Sequence, residues 1–315
     1  APPHPLAQRR PLGDRGFQYL ALAAGLLVLV ILVLIAVSTA EQSTHWFTTT
    51  GTNIFSATWN PSKNTFGAMA FLYGTVISSV IALIIAFPVS VGIALLLNEV
   101  LPRRWARPVI YVIDLLAVVP SVVWGLWGIQ VFAPWLQHIY TSISGGVSGV
   151  PVLGTLFGGQ NVQGSSFFTA GIILAVMITP IITSLAREVI ATVPVIDKEG
   201  AYALGATRWE MIRGAIWPHS QGGVVGATLV GLGRAMGETI AVALVIGASA
   251  TVTPHLFYPG YSIAAVIANQ FGEAAGATFR SALIGLGLML FVITIIINLS
   301  ARGIVERSAR RARGA

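Results

Sequence analysis

No cysteine occurs anywhere in the chain, which excludes structural disulfides, thiolate metal sites and thiol catalysis together. Lysine is nearly absent as well. Lys63 and Lys198 are the only two, and neither follows a glycine, so no Gly-x-x-x-x-Gly-Lys-Ser/Thr phosphate loop can be drawn. The polypeptide does not itself hydrolyse ATP by that route. Charge of either sign is scarce: Asp, Glu, Lys and Arg make up 9% of the 315 residues, against about 25% in soluble domains, which rules out a water-soluble globule. The five histidines, His4, His45, His138, His219 and His255, are scattered over loops and termini. They form no metal-ligand cluster or triad and no carboxylates pair, so neither a metal, a cofactor nor a catalytic residue is assigned.

What the chain has in excess is apolar length, with 55% hydrophobic residues and a mean hydropathy of +0.80. A spanning helix needs about 20 mostly apolar residues, because the hydrocarbon core is about 30 Å thick and each residue rises about 1.5 Å. Six stretches meet that length: Phe17 to Thr39, Phe71 to Leu97, Val109 to Phe132, Phe168 to Thr192, Gly223 to Ala248 and Ala282 to Leu299. Their apolar character runs all the way round, so the expectation is an all-α polytopic membrane protein of six transmembrane helices. Ser38, Thr39 and Ala40 resemble a small-residue cleavage site, but Tyr19 to Val37 is too long without a charge for a secretory signal, so the first stretch is expected to be a retained anchor. No internal repeat is found.

Orientation follows from the basic residues. Fifteen of the eighteen fall before the first span, between the second and third, between the fourth and fifth, and after the sixth. Only Lys63 and Arg280 lie opposite. Both termini are therefore expected to be cytoplasmic. Residues 1–16 are expected to form a basic arm, 17–302 the transmembrane domain and 303–315 a basic tail. The formal net charge of +7 is accounted for by this topology and by anionic lipid headgroups, leaving no case for a nucleic-acid partner. The outer segments 40–70 and 133–167 are expected to be loops rich in Gly, Ser, Thr and Asn.

Charges inside a bilayer cost about 2.5–3.5 kcal/mol each on insertion scales and rarely face lipid. Arg234 and Glu238 stand near the middle of the fifth span, four residues apart, where a continuous helix would put them on one face within reach of each other. Either they neutralise one another and pin the helix, or they line a wet path in which the guanidinium offers donors to an oxyanion while Glu238 moderates its field. Thr239 adds a hydroxyl that could serve the path or back-bond to its own helix. Asp114, in the third span, could counter Arg234 or pair with Arg104 or Arg107. Gly222, Gly226, Gly233 and Gly237 include small-x-x-x-small spacings that let helices approach. Pro88, Pro120 and Pro180 must kink or interrupt their spans, and Trp124, Trp127 and Trp135 suit interfacial anchors.

One segment between spans is built differently. From Asp197 the chain reads DKEGAYALGATRWEMIRGAIWP, a short helix broken at Gly205 and a second helix expected to end at Pro218. Ala201, Leu204 and Gly205 leave a flat face of the kind that docks into another protein's groove. This segment resembles the EAA loop of ABC-importer permeases, Glu-Ala-Ala, three residues, Gly, nine residues, Ile-x-Leu-Pro. Glu199, Ala201, Gly205 and Pro218 match in spacing, while Gly200 replaces the middle alanine, Ala215 the isoleucine and Trp217 the leucine. Residues 59–79, 115–128 and 231–247 (GLGRAMGETIAVALVIG) are similar to the phosphate-specific members, the last closer to the PstC-type than to the PstA-type subunit.

The resemblance implies a MetI-like permease fold and transport of inorganic phosphate by alternating access, with Glu199, Gly200, Ala201, Gly205 and Pro218 coupling to an ATPase and Arg234, Glu238, Thr239 and Asp114 along the substrate path. It also implies a homologous second permease of PstA type, a cytoplasmic PstB-type ATPase dimer that binds the ATP and Mg, and an extracytoplasmic PstS-type binding protein. The alternatives are a sulfate or molybdate permease of the same design, and a secondary anion transporter or channel. A carboxylate in the path favours a protonated oxyanion, hence phosphate.

Overall fold

The computed structural model describes residues 12–313. Residues 1–11 of the expected basic arm, with His4, Arg9 and Arg10, lie outside the described residues, as do the side chains of Arg15 and of Arg302, Arg307, Arg310, Arg311 and Arg313. Thirteen α-helices order as α1 Leu12–Thr50, α2 Met69–Leu95, α3 Arg103–Val118, α4 Ser121–Trp127, α5 Ala133–Val147, α6 Pro151–Phe157, α7 Phe167–Ala191, α8 Val195–Ala203, α9 Arg208–Met211, α10 Trp217–Gly237, α11 Ile240–Val245, α12 Ile263–Gln270 and α13 Ala277–Arg313. A two-stranded hairpin, β1 Trp59–Asn60 and β2 Thr65–Phe66, sits between α1 and α2. Three π-turns, Leu96–Val100, Gly128–Phe132 and Ile212–Ile216, join helices where one backbone bond slips by a residue.

The core is the α2–α7 pair, the most extensive helix contact in the fold, with α10 laid against both. Ala70, Gly74, Thr75, Ser78, Ser79, Ala82 and Ala86 line the buried side of α2. Residues this small let two backbones approach where lipid supplies no hydrophobic drive for association, so van der Waals contact must do it. α7 starts at Ser166, whose side chain accepts from the Thr169 backbone N–H and satisfies one free donor of the first turn. By contrast α1 joins the body only at its far end. Residues 16–35 project free of the rest of the chain, and burial begins at Ser43 and Trp46 where α1 meets α13.

Among the described residues, four helices are long and apolar enough to cross a membrane, Gly16–Thr50, Met69–Val100, Phe167–Ala191 and Ala277–Ser300, and a bent pair makes a fifth candidate. This is a multi-pass membrane protein. Pro88 and Pro180 lie inside α2 and α7, as expected. The third span, expected from Val109 to Phe132 with a kink or interruption at Pro120, is broken there. α3 and the α4–α5 segment meet at 88°, because proline forces the preceding residue toward extended backbone and Val119 adopts ψ 125°.

The expected fifth span is corrected. It is not continuous from Gly223 to Ala248: α10 ends at Gly237, Glu238 is extended (φ −68°, ψ 127°), and α11 begins at Ile240. Two expected loops are largely helical. Residues 40–50 continue α1, and 133–167 contain α5 and α6.

Candidate functional site

α10 buries one face and leaves the other open. Val224, Ala227, Thr228, Gly231, Leu232, Ala235 and Met236 are buried against α7 and α2. The uncovered face carries Gly226, Val230, Arg234 and Gly237, with Gly233 half-buried beside them. A Cβ placed on Gly226, Gly233 or Gly237 would meet nothing within 4 Å. Arg234 thus stands on a smooth strip of backbone with its guanidinium accessible, and no carboxylate among the described residues lies within ion-pair distance of it.

The expected Arg234–Glu238 partnership does not form. The two positions do not share a helix face, because the helix stops between them. Glu238 instead turns its carboxylate onto the next helix, where Oε1 accepts from the Ala241 backbone N–H at 3.4 Å. Thr239 takes the local alternative: its hydroxyl donates to the Gly237 carbonyl at 3.2 Å. Asp114 lies exposed on α3 and pairs with neither Arg234 nor Arg104 or Arg107. Of the four expected path residues, the break in the fifth span keeps Arg234, Glu238 and Thr239 together in sequence around one discontinuity, and Asp114 stands apart. Discontinuous helices supply the free backbone groups from which membrane transport sites are commonly built.

The second constellation lies between α7 and α10. α8 ends at Gly205, whose φ of +81° is the left-handed region that a side chain disfavours. The Gly205 N–H donates to the Tyr202 carbonyl at 2.9 Å and the Ala206 N–H to the Ala201 carbonyl at 3.1 Å, so two otherwise free carbonyls of α8 are closed off in a Schellman turn. Two residues later Thr207 opens α9 with a capping box. The Glu210 N–H donates to the Thr207 hydroxyl oxygen, and the Glu210 carboxylate accepts from the Thr207 backbone N–H at 2.7 Å. That backbone bond, then the bond from the Thr207 hydroxyl, holds the Glu210 carboxyl below the usual carboxylate range.

The second helix does not end at Pro218. Backbone angles stay helical from α9 through the π-turn into α10, and Pro218 falls in the first turn of α10. The Trp217 N–H reaches back to the Ile212 carbonyl across the π-turn, which fits a following proline that has no N–H to give the ladder.

α8 presents an apolar surface to the outside, with Leu204 90% and Ile196 79% exposed. Glu199 and Gly200 are exposed beside them, and Ala201 is half-buried. A cleft of about 670 Å³ runs between α8 and the start of α10, lined among others by Gly200, Ala201, Leu204, Ala215 and Pro218. Three of the five expected coupling residues, Gly200, Ala201 and Pro218, thus line one groove, Glu199 is exposed on the same helix, and Gly205 shapes the turn that ends it.

Sequence reasoning missed Lys198 and Glu99. Lys198 Nζ lies 2.6 Å from Glu99 Oε1, the one ion pair among the described residues. No motif joins positions 99 residues apart. The Thr207–Glu210 capping box was also missed, although Ser/Thr-x-x-Glu before an apolar run is a readable signal. No group of three or more His, Asp or Glu side chains suited to a metal comes together among the described residues.

With this geometry in place, similarity to known proteins is informative. Residues 86–314 match the family model described as "Binding-protein-dependent transport system inner membrane component". The chain is 43% identical over 300 residues to the phosphate transport system permease protein PstC of Xylella fastidiosa, covering 95% of this chain and 92% of the relative. It is 43% identical over 302 residues to the PstC protein of Mesorhizobium japonicum, with the same shares covered. Among solved structures, a bacterial alginate ABC transporter in complex with an alginate pentasaccharide-bound periplasmic protein aligns with a TM-score of 0.60 at 17% identity, covering 95% of this chain and 98% of that one. At that identity the likeness speaks for the fold alone.

Proposed function

We propose a function from one premise: the chain belongs to the family of binding-protein-dependent transport system inner membrane components. It is the PstC-type permease subunit of an ABC importer of inorganic phosphate, a transport component and not a catalytic one. Its PstC relatives support the cargo, and the absence of a phosphate-loop lysine motif agrees with ATP and Mg being bound by a separate subunit. In this reading α1, α2, the bent α3–α5 pair, α7, the broken α10–α11 pair and α13 make six crossings, with both termini in the cytoplasm.

The observation that carries the anion path is Arg234 on the open glycine face of α10. A guanidinium offers planar paired donors to phosphate oxygens. Glu238 lies one break away, where it tempers the field without neutralising the guanidinium directly. A path must hold its cargo weakly to release it, and one exposed Arg meets that condition where a cage of several would not. The same smooth face is suited to a homologous second permease of PstA type, since three glycines there leave room for another helix. Capture of phosphate then belongs to an extracytoplasmic PstS-type binding protein. α8 and its groove dock against a PstB-type ATPase dimer, whose closure on ATP draws the two permeases together and turns the path outward.

Uptake into vesicles holding the purified four-component assembly tests this reading. ATP-dependent accumulation of radiolabelled phosphate in preference to sulfate is expected. Preference for sulfate or molybdate would move the cargo to another oxyanion, and uptake driven by an ion gradient without ATP would reject the ABC assignment.

A further inference from the structure

The Lys198–Glu99 pair has no place in the transport path and matches no element of the coupling motif. Its setting is unusual. Glu99 belongs to the π-turn that finishes α2, with its side chain 9% exposed, and Lys198 stands in the middle of α8, 19% exposed. No residue of α8 is buried. Lys198 and Ala201, three apart, make the face that α8 turns toward the body, and Ala201 is only half-covered. This nine-residue helix has little apolar contact, its Ala201 side meeting α9 and the Ile212–Ile216 π-turn, and the charge pair is its one side-chain bond to the end of α2.

The other end of the pair is firmly held. Asn98, next to Glu99 in the same π-turn, donates from Nδ2 to the Arg187 carbonyl of α7 at 2.8 Å. Neighbouring residues of one turn therefore tie the end of α2 to α7 and to α8. Because α2 and α7 form the core pair and α10 rests on both, a displacement of α8 passed to Glu99 reaches the helix that carries Arg234.

Stability does not explain the pair. Desolvating two charges costs about as much as their attraction returns, and buried pairs can often be exchanged for apolar side chains without loss. What an ion pair supplies that an apolar contact does not is direction and register. We infer that Lys198 and Glu99 form a strut that transmits movement of α8 to the α2–α7 core, so that they are positioning residues for coupling ATP hydrolysis to transport. The inference rests on the proposed docking of α8 to an ATPase and goes beyond it by naming the force-bearing contact.

The test measures phosphate uptake and ATP hydrolysis in the same vesicles, reconstituted with the complete assembly. Lys198→Met and Glu99→Gln are each expected to lower phosphate moved per ATP by about fivefold or more, the lower range of allosteric coupling effects, while ATP hydrolysis persists. The exchange Lys198→Glu with Glu99→Lys is expected to recover most of the native ratio. The double variant Lys198→Met with Glu99→Leu is expected to assemble and to stay uncoupled. A native ratio in the single variants, no recovery in the exchange, or full coupling in the apolar pair would each overturn the strut. Gly205→Trp separates this from the reading beneath it. If that variant abolishes ATPase binding while the single strut variants stay coupled, only the strut fails; if it leaves ATPase binding and ATP-driven uptake intact, docking through α8 fails and the strut falls with it.

Discussion

The indole of Trp46 on α1 is seated against Gly285 on α13 so closely that a Cβ at residue 285 would come within 2.1 Å of the ring. The contact is fixed by polar bonds on both sides. Trp46 Nε1 donates to the Phe66 carbonyl at 3.0 Å, and the hydroxyl of Ser281, one turn before Gly285, receives the Trp46 backbone N–H at 3.0 Å while donating to the Gln42 carbonyl at 2.8 Å. Ser281 thus inserts itself into the α1 ladder where residue 46 would otherwise bond residue 42 directly. Since residues 16–35 of α1 are exposed throughout, this contact, with the His45–Thr278 hydrogen bond one turn away, anchors the buried end of α1 to α13.

Gly285→Ala should therefore lift α1 from α13 and destabilise the fold by about 1–3 kcal/mol, the usual cost of overpacking. Thermal unfolding in detergent, followed by tryptophan fluorescence, checks this as a lowered Tm. Gly287, two residues on, offers the control: a Cβ there has only Ile267 at 3.8 Å, an ordinary contact, so Gly287→Ala inside α13 should not lower the Tm and should raise it slightly through better helix propensity.

Arg234→Gln removes the charge and shortens the side chain while leaving a polar amide in its place. Because Arg234 makes no ion pair within the described residues, the chain should fold and assemble normally. A charge-assisted hydrogen bond lost from the path is worth about 1.5–3 kcal/mol, so uptake should fall by about tenfold or more. Co-purification of all subunits with phosphate uptake lowered by about tenfold or more is the expected pair of results. Loss of assembly would mean that Arg234 pins subunits together instead.

How much of this was legible beforehand depends on what each element answers to. α2 and α7 were placed within about two residues, because a bilayer sets length and apolarity together and hydropathy reads both. The two broken spans were not, because a hydropathy window is blind to direction. At Pro120 the warning was present and was read as a kink or interruption. At Glu238 no proline marks the break. An extended backbone there is open to any residue, and it is held by the bond from Ala241 and by the packing of α11 on α4, α7 and α12. Treating residues 234 and 238 as one helical turn therefore failed for a tertiary reason. The α8–α9 segment was legible because it follows the rules of soluble helices, in which a glycine ends one helix and Thr207 opens the next. Lys198 with Glu99 was not, since pairing across the fold leaves no local spacing.

Gly205 and Gly200 should respond oppositely to substitution. At Gly205 the constraint is the left-handed backbone, with open space around it. Asparagine tolerates that conformation, whereas a β-branched residue does not, at a cost of about 1–2 kcal/mol or a 5- to 30-fold shift away from the native turn. Gly205→Asn should retain most uptake and Gly205→Val should lose most of it, with ATPase co-purification falling in parallel. Gly200 lies inside α8 with nothing within 4 Å, so Gly200→Ala should add about 1 kcal/mol of helix stability and preserve uptake. Impaired ATPase binding in Gly200→Ala would show that the partner approaches α8 closely enough to exclude a methyl group.

The capping box makes the start of α9 sensitive to acid. Glu210 accepts from both the backbone N–H and the hydroxyl of Thr207, bonds that favour its ionised form and lower its folded-state pKa. A carboxyl so lowered stabilises the folded turn above its unfolded value, near the ordinary carboxylate pKa of about 4.3, and that contribution disappears as the pH falls through the folded value. Between neutrality and about pH 5 nothing should change. Below that, limited proteolysis at the exposed residues 204–209 should accelerate with acidification in the native protein, ahead of any loss of the α2–α7 core. In Glu210→Gln the amide can still accept from the Thr207 N–H but does not titrate, so cleavage there should be somewhat faster at neutral pH and should no longer depend on pH across that acidic range. A variant that retained the native acid response would show that the sensitivity comes from another carboxylate, Asp197 and Glu199 on α8 being the ones nearest in sequence.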